Sequence, residues 1–246
     1  MQWSDDAIVL GVRRHGEAGL VVQLLTRDHG RHAGLVRGGQ GRRLRPIYQT
    51  GNRVIATWKA RLSEHLGSLT AELLQGHAAR LMEDPGRLAT LASAAAMAEM
   101  AVPEREPHVG LFEDLAALLE ALDRDAGWAV SYVMWEMRLL TELGFGLDLS
   151  RCAATGTTDS LVYVSPKSGQ AVSAEAGEPY KDKLLSLPPF LLREGEGSNP
   201  AEVLAGLDLT GFFLERRIFE PHGKTLPPAR SRFVDVLRRM ATISGG

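Results

Sequence analysis

Arg53-Val54-Ile55-Ala56-Thr57-Trp58-Lys59-Ala60-Arg61 alternates without interruption. Val54, Ala56, Trp58 and Ala60 share one parity; Arg53, Ile55, Thr57, Lys59 and Arg61 share the other. A period of two sends the first set toward a core and puts three cations, Arg53, Lys59 and Arg61, on the opposite face of a strand. Trp58, on the apolar parity, reads as a core residue rather than a platform for a stacked base. This is the cleanest strand in the chain.

Four further strand signals surround it. Ala7-Ile8-Val9-Leu10-Gly11-Val12 is an apolar run ended by Arg13-Arg14-His15-Gly16-Glu17. Residues 20–26 and 31–37 are separated by Asp28-His29-Gly30, a hairpin signal. Leu69, Ala71 and Leu73 alternate with Ser68, Thr70 and Glu72. Five short strands in so little chain predict a small Greek-key barrel, and the five-stranded OB fold is a nucleic-acid binder of that kind. Between the third and fourth strands lies Gly38-Gly39-Gln40-Gly41-Arg42-Arg43-Leu44-Arg45-Pro46, which has no apolar period and is expected to be a mobile loop. Tyr48, beside it, is the aromatic residue best placed to stack on a base.

Charge is distributed unevenly. Residues 1–61 hold eleven basic and four acidic residues, a net +7, although the whole chain carries only -2. Residues 62–150 hold five and fifteen, a net -10, and residues 151–246 hold twelve and eleven. A local surplus on a sheet is an electrostatic footprint for polyphosphate. The DNA-binding candidates are therefore Arg13, Arg14, Arg37, Arg42, Arg43, Arg45, Arg53, Lys59 and Arg61. A second basic cluster, Arg216, Arg217, Lys224, Arg230 and Arg232, extends the candidate set. With few aromatics on the sheet, affinity must come from phosphate contacts, so binding should be steeply salt-dependent and indifferent to base sequence.

From residue 77 the period becomes helical. Pro85 suits a first helical position before Leu88, Leu91, Ala92 and Ala95. Leu111, Leu115, Leu118, Leu119 and Leu122 form an apolar stripe, and residues 127–143 place Trp128, Tyr132, Trp135 and Leu139 on one face. Residues 144–179 lose the period. Helices are expected again over residues 180–192, 200–204, 210–218 and 228–243. The expected class is α+β and multidomain: a nucleic-acid-binding OB-fold barrel over residues 1–77 and a helical domain over residues 78–246.

Several functions are excluded. No stretch of eighteen apolar residues exists. The first residues lack the charged start and apolar run of a signal peptide, and a lone cysteine, Cys152, fits a reducing compartment. A cytoplasmic, nucleoid-associated protein is expected. Gly223-Lys224-Thr225 looks like the end of a phosphate-binding loop, but Ile218 stands where that motif needs glycine. His29 and His32 read as exposed turn histidines, because no carboxylate pair completes a metal site. There is no nucleophile elbow, zinc-protease motif or dinucleotide fingerprint. No catalytic residue, cofactor or metal is expected.

The residues also resemble a known family, the bacterial DNA repair protein RecO. The stretches that carry the likeness are Trp3-Ser4-Asp5-Asp6-Ala7-Ile8-Val9-Leu10, Arg14-His15-Gly16-Glu17, and Leu25-Thr26-Arg27-Asp28-His29-Gly30-Arg31-His32. They continue through Gly34-Leu35-Val36-Arg37-Gly38-Gly39 and Gln49-Thr50-Gly51-Asn52, and more loosely through Leu139-Leu140-Thr141-Glu142-Leu143-Gly144-Phe145 and Tyr163-Val164-Ser165-Pro166. The resemblance implies an N-terminal OB fold, a helical domain and, in many members, a four-cysteine zinc ribbon. Here Cys152 stands at the first ribbon position, while Thr155, Ser173 and Ala176 stand at the others. One thiolate cannot hold a structural zinc, so residues 150–178 are expected to form a metal-free remnant loop. The resemblance further implies a recombination mediator. Such a protein binds single- and double-stranded DNA, anneals complementary strands, and assists RecA loading on DNA coated by single-strand binding protein. Its implied partners are RecR and the acidic tail of the single-strand binding protein. Two other readings remain open: a protein–protein adaptor whose helical domain is the working part, and an enzyme with an unrecognised site.

Overall fold

The computed structural model describes all residues except 63, 125–126, 194–197 and 245–246. Two compact units make up the chain: Met1–Ala126 with Pro227–Phe233, and Gly127–Leu226 with Val234–Gly246.

In the first unit, β1 (Gln2–His15), β2 (Gly19–Thr26), β3 (Gly30–Val36), β4 (Arg53–Lys59) and β5 (Ser68–Gln75) close into a barrel of order β1-β2-β3-β5-β4. β1 serves two neighbours: its first half pairs with β4 and its second half with β2. The register slips between Val9 and Gly11, a bulge that lets one strand turn from one partner to the next. A single parallel bridge, Leu35 to Ser68, completes the circuit.

The alternation expected for β4 is present. Val54, Ala56 and Trp58 are buried with Val22, Leu24, Val36 and Leu69. Trp58 Nε1 donates to the carbonyls of Ala33 (3.2 Å) and Leu66 (2.9 Å), so its one polar group is satisfied inside the core. Three helices belong to the same unit: α1 (His77–Leu81), α2 (Pro85–Ala101) and α3 (Val109–Arg124). Asp84 caps α2 by accepting from the Arg87 amide, ahead of Pro85 at the first helical position. Small residues, Ser93, Ala94, Ala95 and Ala98, let α2 lie close to β1 and β2. Thus the packing units divide beyond residue 77, where the sequence period changes.

The second unit contains α4 (Trp128–Glu142), β6 (Leu161–Val164), β7 (Ala171–Ser173), α5 (Ala174–Gly177), β8 (Leu185–Ser186) and α6 (Pro200–Leu214). The last helix, α7 (Pro228–Ser244), is divided between the two units. α4 buries Trp128, Tyr132, Trp135 and Leu139, the face read from the sequence. Between α4 and α6, the Thr210 hydroxyl donates to the fully buried Glu136 carboxylate at 2.5 Å.

Three sequence expectations need correction here. Residues 180–192 do not form a helix: they hold part of a 3-10 turn (Glu178–Lys183), β8, and a second 3-10 turn (Pro189–Leu191). Pro188 and Pro189 remove the amides that a continuous helix would need. Residues 200–204 and 210–218 are not separate helices, because α6 runs unbroken into a π-helical turn (Glu215–Phe219). Gly206 is there for close approach, since a Cβ on it would lie 3.0 Å from Val133 and Phe190. Finally, residues 150–178 are not a plain loop. They contribute β6 and β7 to a three-stranded sheet completed by β8.

Gly223, which completed the resemblance to a phosphate loop, has a φ of +64° and closes a 3-10 turn (Glu220–His222) by donating to the Glu220 carbonyl at 2.9 Å. It is a helix stop. Among the described residues no helix is long and apolar enough to cross a membrane.

Candidate nucleic-acid interface

The barrel register draws the basic residues into a pattern. Arg13 pairs with Val21, Val21 with Leu35, Leu35 with Ser68, and Ser68 with Lys59. All five take outward positions, and because these strands make up the whole closed barrel, the row they trace winds around it along a path of about 19 Å, four strand spacings of about 4.8 Å. Arg37 lies two residues beyond Leu35 and Arg61 two beyond Lys59; both are exposed, and they lie on opposite sides of the row because β3 and β4 run in opposite directions. Arg14 is exposed beside Arg13. Arg13 also meets Glu99 of α2 at 3.5 Å, but its side chain remains 70% exposed, so this contact is weak.

The loop after β3 is structured, which corrects the expectation of a mobile segment. Turn hydrogen bonds run from Gly41 to Gly38 (3.0 Å), Leu44 to Gly41 (3.1 Å) and Ile47 to Leu44 (3.0 Å). Gln40 ties the loop to the β1–β2 turn by donating its side-chain amide to the Gly19 carbonyl at 3.0 Å. Asn52 holds the other end by donating to the carbonyls of Pro46 (2.8 Å) and Ile47 (3.2 Å). Leu44 and Ile47 pack against the barrel core. With those anchors turned inward, Arg42, Arg43 and Arg45 stay exposed on the outer side.

Two candidates change role. Tyr48 is buried at 4% exposure, and its ring oxygen is hydrogen-bonded to the Ala71 backbone; burial pushes its pKa up. It is a core plug and offers no face to a base. Arg53 is held by Asp6, to which Nε donates at 3.0 and 3.1 Å and Nη2 at 2.6 Å. Its guanidinium also lies 5.7 Å from the Phe112 ring centroid. The hydrogen bond to Asp6 raises the Arg53 pKa further, so this cation is committed within the protein.

The barrel is polar in charge. Ser4, Asp5, Asp6, Arg27, Asp28 and Ile55 line an acidic cleft on its surface. Arg27 there is bound to Glu113 at 2.9 Å.

The two histidines are not simple exposed turn residues. His29 Nδ1 hydrogen-bonds Asp5 at 2.8 Å and stacks on Trp3 at 4.4 Å. His32 is buried and edge-on to Trp3 and Trp58. Glycine at 34 and the strand parity turn His32 inward, a signal that was available in the alternation of β3.

With this geometry in view, the comparisons with known proteins are direct. The family model described as Recombination protein O N terminal matches residues 1–77, and that described as Recombination protein O C terminal matches residues 82–226. The chain belongs to the RecO family. It is 56% identical to the DNA repair protein RecO of Rhodospirillum centenum, covering 100% of this chain and 98% of that protein. It is 53% identical to the DNA repair protein RecO of Phenylobacterium zucineum, covering 96% and 98%. The DNA repair protein RecO of Rhodospirillum rubrum is 51% identical, with 97% of each chain covered.

In this RecO-family chain the C-terminal basic cluster is divided between the two units. Arg216, Arg217 and Lys224 belong to the second unit, and Arg230 and Arg232 to the first. Arg230 is buried at 6% exposure, which removes it as a surface contact. Arg217 lies 5.3 Å from the Phe213 ring centroid and donates to the Lys167 carbonyl at 3.4 Å. Arg216, 5.7 Å from the Phe212 centroid, Lys224 and Arg232 are exposed.

The region expected to be a ribbon remnant gathers around Cys152. The Ser173 amide and hydroxyl donate to its sulfur at 3.3 and 3.5 Å. Burial raises the thiol pKa, but hydrogen bonds from Ser173 and Thr155 outweigh that and lower it to about 6. These hydroxyls satisfy the sulfur by donating protons to it, and one thiolate with two hydroxyls is not a structural zinc donor set. Among the described residues no group of three or more His, Cys, Asp or Glu is placed to hold a metal ion.

Proposed function

We propose that this chain is a DNA-binding recombination mediator without catalytic chemistry of its own. Membership of the RecO family supports a role in DNA repair and recombination. The observation that carries the finer reading is the set of exposed cations on the barrel, Arg13, Arg37, Lys59 and Arg61, together with Arg42, Arg43 and Arg45 on the anchored loop after β3. Such a surface neutralises phosphates while making no demand on base edges. That is what annealing needs: two strands must approach without mutual repulsion and with their bases free. Single- and double-stranded DNA both present the required phosphates. No nucleotide-hydrolysis step enters the scheme.

In the cell this function joins the chain to DNA coated by single-strand binding protein, to the acidic tail of that protein, and to RecR, and it assists loading of RecA. The setting is the cytoplasm, at the nucleoid.

The deciding experiment is annealing of complementary oligonucleotides over a salt series, with and without single-strand binding protein. Wild type should accelerate annealing at low salt and lose the effect steeply as salt rises. The Arg42→Glu, Arg43→Glu, Arg45→Glu triple variant should lose DNA affinity and annealing together while melting at the wild-type temperature. Unchanged DNA binding by the triple variant would reject the phosphate surface and favour a protein–protein adaptor.

A further inference from the structure

In the second unit, β6, β7 and β8 have four, three and two residues, too few for a sheet to stand on its own hydrogen bonds. Elements this small are commonly held by a structural metal, whose binding energy is then folding energy. The RecO resemblance implies such a metal, a zinc ribbon with residues 152, 155, 173 and 176 as its ligand positions. Two tight turns carry those positions. In the first, the Cys152 amide donates to the Thr157 carbonyl at 2.7 Å, and the Gly156 amide donates to the Cys152 carbonyl at 2.9 Å. The second is the entry to α5, where Ser173 is the N-cap residue and Ala176 follows three residues later, one helical turn on.

Both turns are tied into the sheet region. The Ala153 amide donates to the Ala171 carbonyl and the Ala174 amide to the Ser160 carbonyl, each at 2.8 Å. The turns meet at the Cys152 sulfur, which is buried. From the second turn, the Ser173 amide and hydroxyl donate to it at 3.3 and 3.5 Å. From the first, the Thr155 amide and hydroxyl donate to the same sulfur. The residues at the second and third ribbon positions thus each aim two donors at the residue in the first. Hydroxyls cannot stand in for thiolates on a structural zinc. A sulfur that accepts from both turns nevertheless joins the same two segments, and Leu161, Val164, Ala171, Val172 and Leu187 add buried apolar surface.

We infer that residues 150–178 are a ribbon whose metal cross-link is replaced by hydrogen bonds: Thr155 and Ser173 converge on the Cys152 sulfur and hold the two turns together without zinc. The segment folds independently of metal supply. Its four ribbon positions stay close enough together that restoring the three missing cysteines restores a tetrahedral metal site.

The test uses the full chain under reducing conditions. Purified wild type should carry no stoichiometric zinc, and its amide hydrogen exchange over residues 150–178 should be the same with and without EDTA, whereas a metal-held ribbon opens when stripped. The Thr155→Val, Ser173→Ala double variant removes both hydroxyl donors. Protection over residues 150–178 should fall about tenfold in it, while α4 keeps its own. The Thr155→Cys, Ser173→Cys, Ala176→Cys triple variant should bind one cobalt(II) ion per chain with the visible bands of tetrahedral thiolate coordination, and zinc should displace it. Wild type should show no such bands. Stoichiometric zinc in wild type, or protection lost on adding EDTA, would overturn the inference. Unchanged protection in the double variant would overturn it too, by showing that packing alone holds the turns. A folded triple variant without the cobalt bands would show that the four positions do not converge. The measurements on wild type and the double variant decide the matter even where the triple variant does not fold.

Discussion

Two side chains on one strand, Arg53 and Lys59, show how little parity alone decides. Both belong to the same set in β4, yet Arg53 is clamped by Asp6 and Lys59 is exposed. The difference comes from the strand opposite: Ile8 faces Arg53 with Asp6 two residues away, whereas Gln2 faces Lys59. Removing a partly buried charge partner strands the other charge, so Arg53→Ala should destabilise the fold by about 1–2 kcal/mol. The same variant should leave the salt dependence of DNA binding at its wild-type slope, a combination that chemical denaturation and binding isotherms would check. Cys152 gives a second residue-scale outcome. As the single cysteine, it alone contributes thiolate ultraviolet absorbance, which should titrate with a midpoint near 6. Ser173→Ala should move that midpoint upward, since two of the donors to sulfur come from that residue. Absorbance appearing only in the ordinary cysteine range would contradict the hydrogen-bonded thiolate.

The five strands were legible in the sequence because their inward and outward residues alternate and turn residues separate them. The loop after β3 was not. Its anchors are Gln40, Leu44, Ile47 and Asn52, four residues without a common period: Gln40 reaches the start of β2, Leu44 and Ile47 pack on the barrel core, and Asn52 holds the loop's own carbonyls. The same limit hid the burial of Tyr48, whose neighbour Ala71 lies on β5. Among helices, 144–179 was correctly read as losing the helical period, while α6 looked broken because glycine lowers propensity and its packing role is invisible in one dimension. Which of the basic candidates are exposed depended on acids such as Asp6 that the count treats as remote. An element-scale outcome follows from Asn52, which is buried and donates to two loop carbonyls. Asn52→Ala should cost about 1–3 kcal/mol through those unpaired groups. Amide protection over residues 37–48 should fall in native-state hydrogen exchange while β4 stays protected. Uniform loss across the barrel would show that Asn52 supports the core and not the loop.

Across the whole molecule, protonation acts in one direction. In the first unit His32 sits inside the barrel against Trp3 and Trp58, with His29, Arg105 and Glu104 as its charged surroundings, and burial lowers its pKa. His77 is buried beneath α3, where Asp123 accepts from it at 2.9 Å and also from Arg80, with Glu120 nearby. Burial lowers the His77 pKa in spite of the carboxylate. A histidine whose folded pKa lies below its unfolded value of 6.5 binds more protons when unfolded. Its contribution is therefore complete above that value and is lost as pH falls below it. Cys152 in the second unit acts with the same sign: its lowered pKa gives stability that fades as pH falls toward and through about 6. The urea midpoint of the full chain should thus drop on going from about pH 7.5 to about pH 5.5. In a Cys152→Ser background the remaining drop belongs to the histidines, and adding His32→Gln with His77→Gln should flatten it further, even at a lower overall stability. A midpoint that holds or rises on acidification would contradict the assignment of the pH response to the buried imidazoles and the Cys152 thiolate.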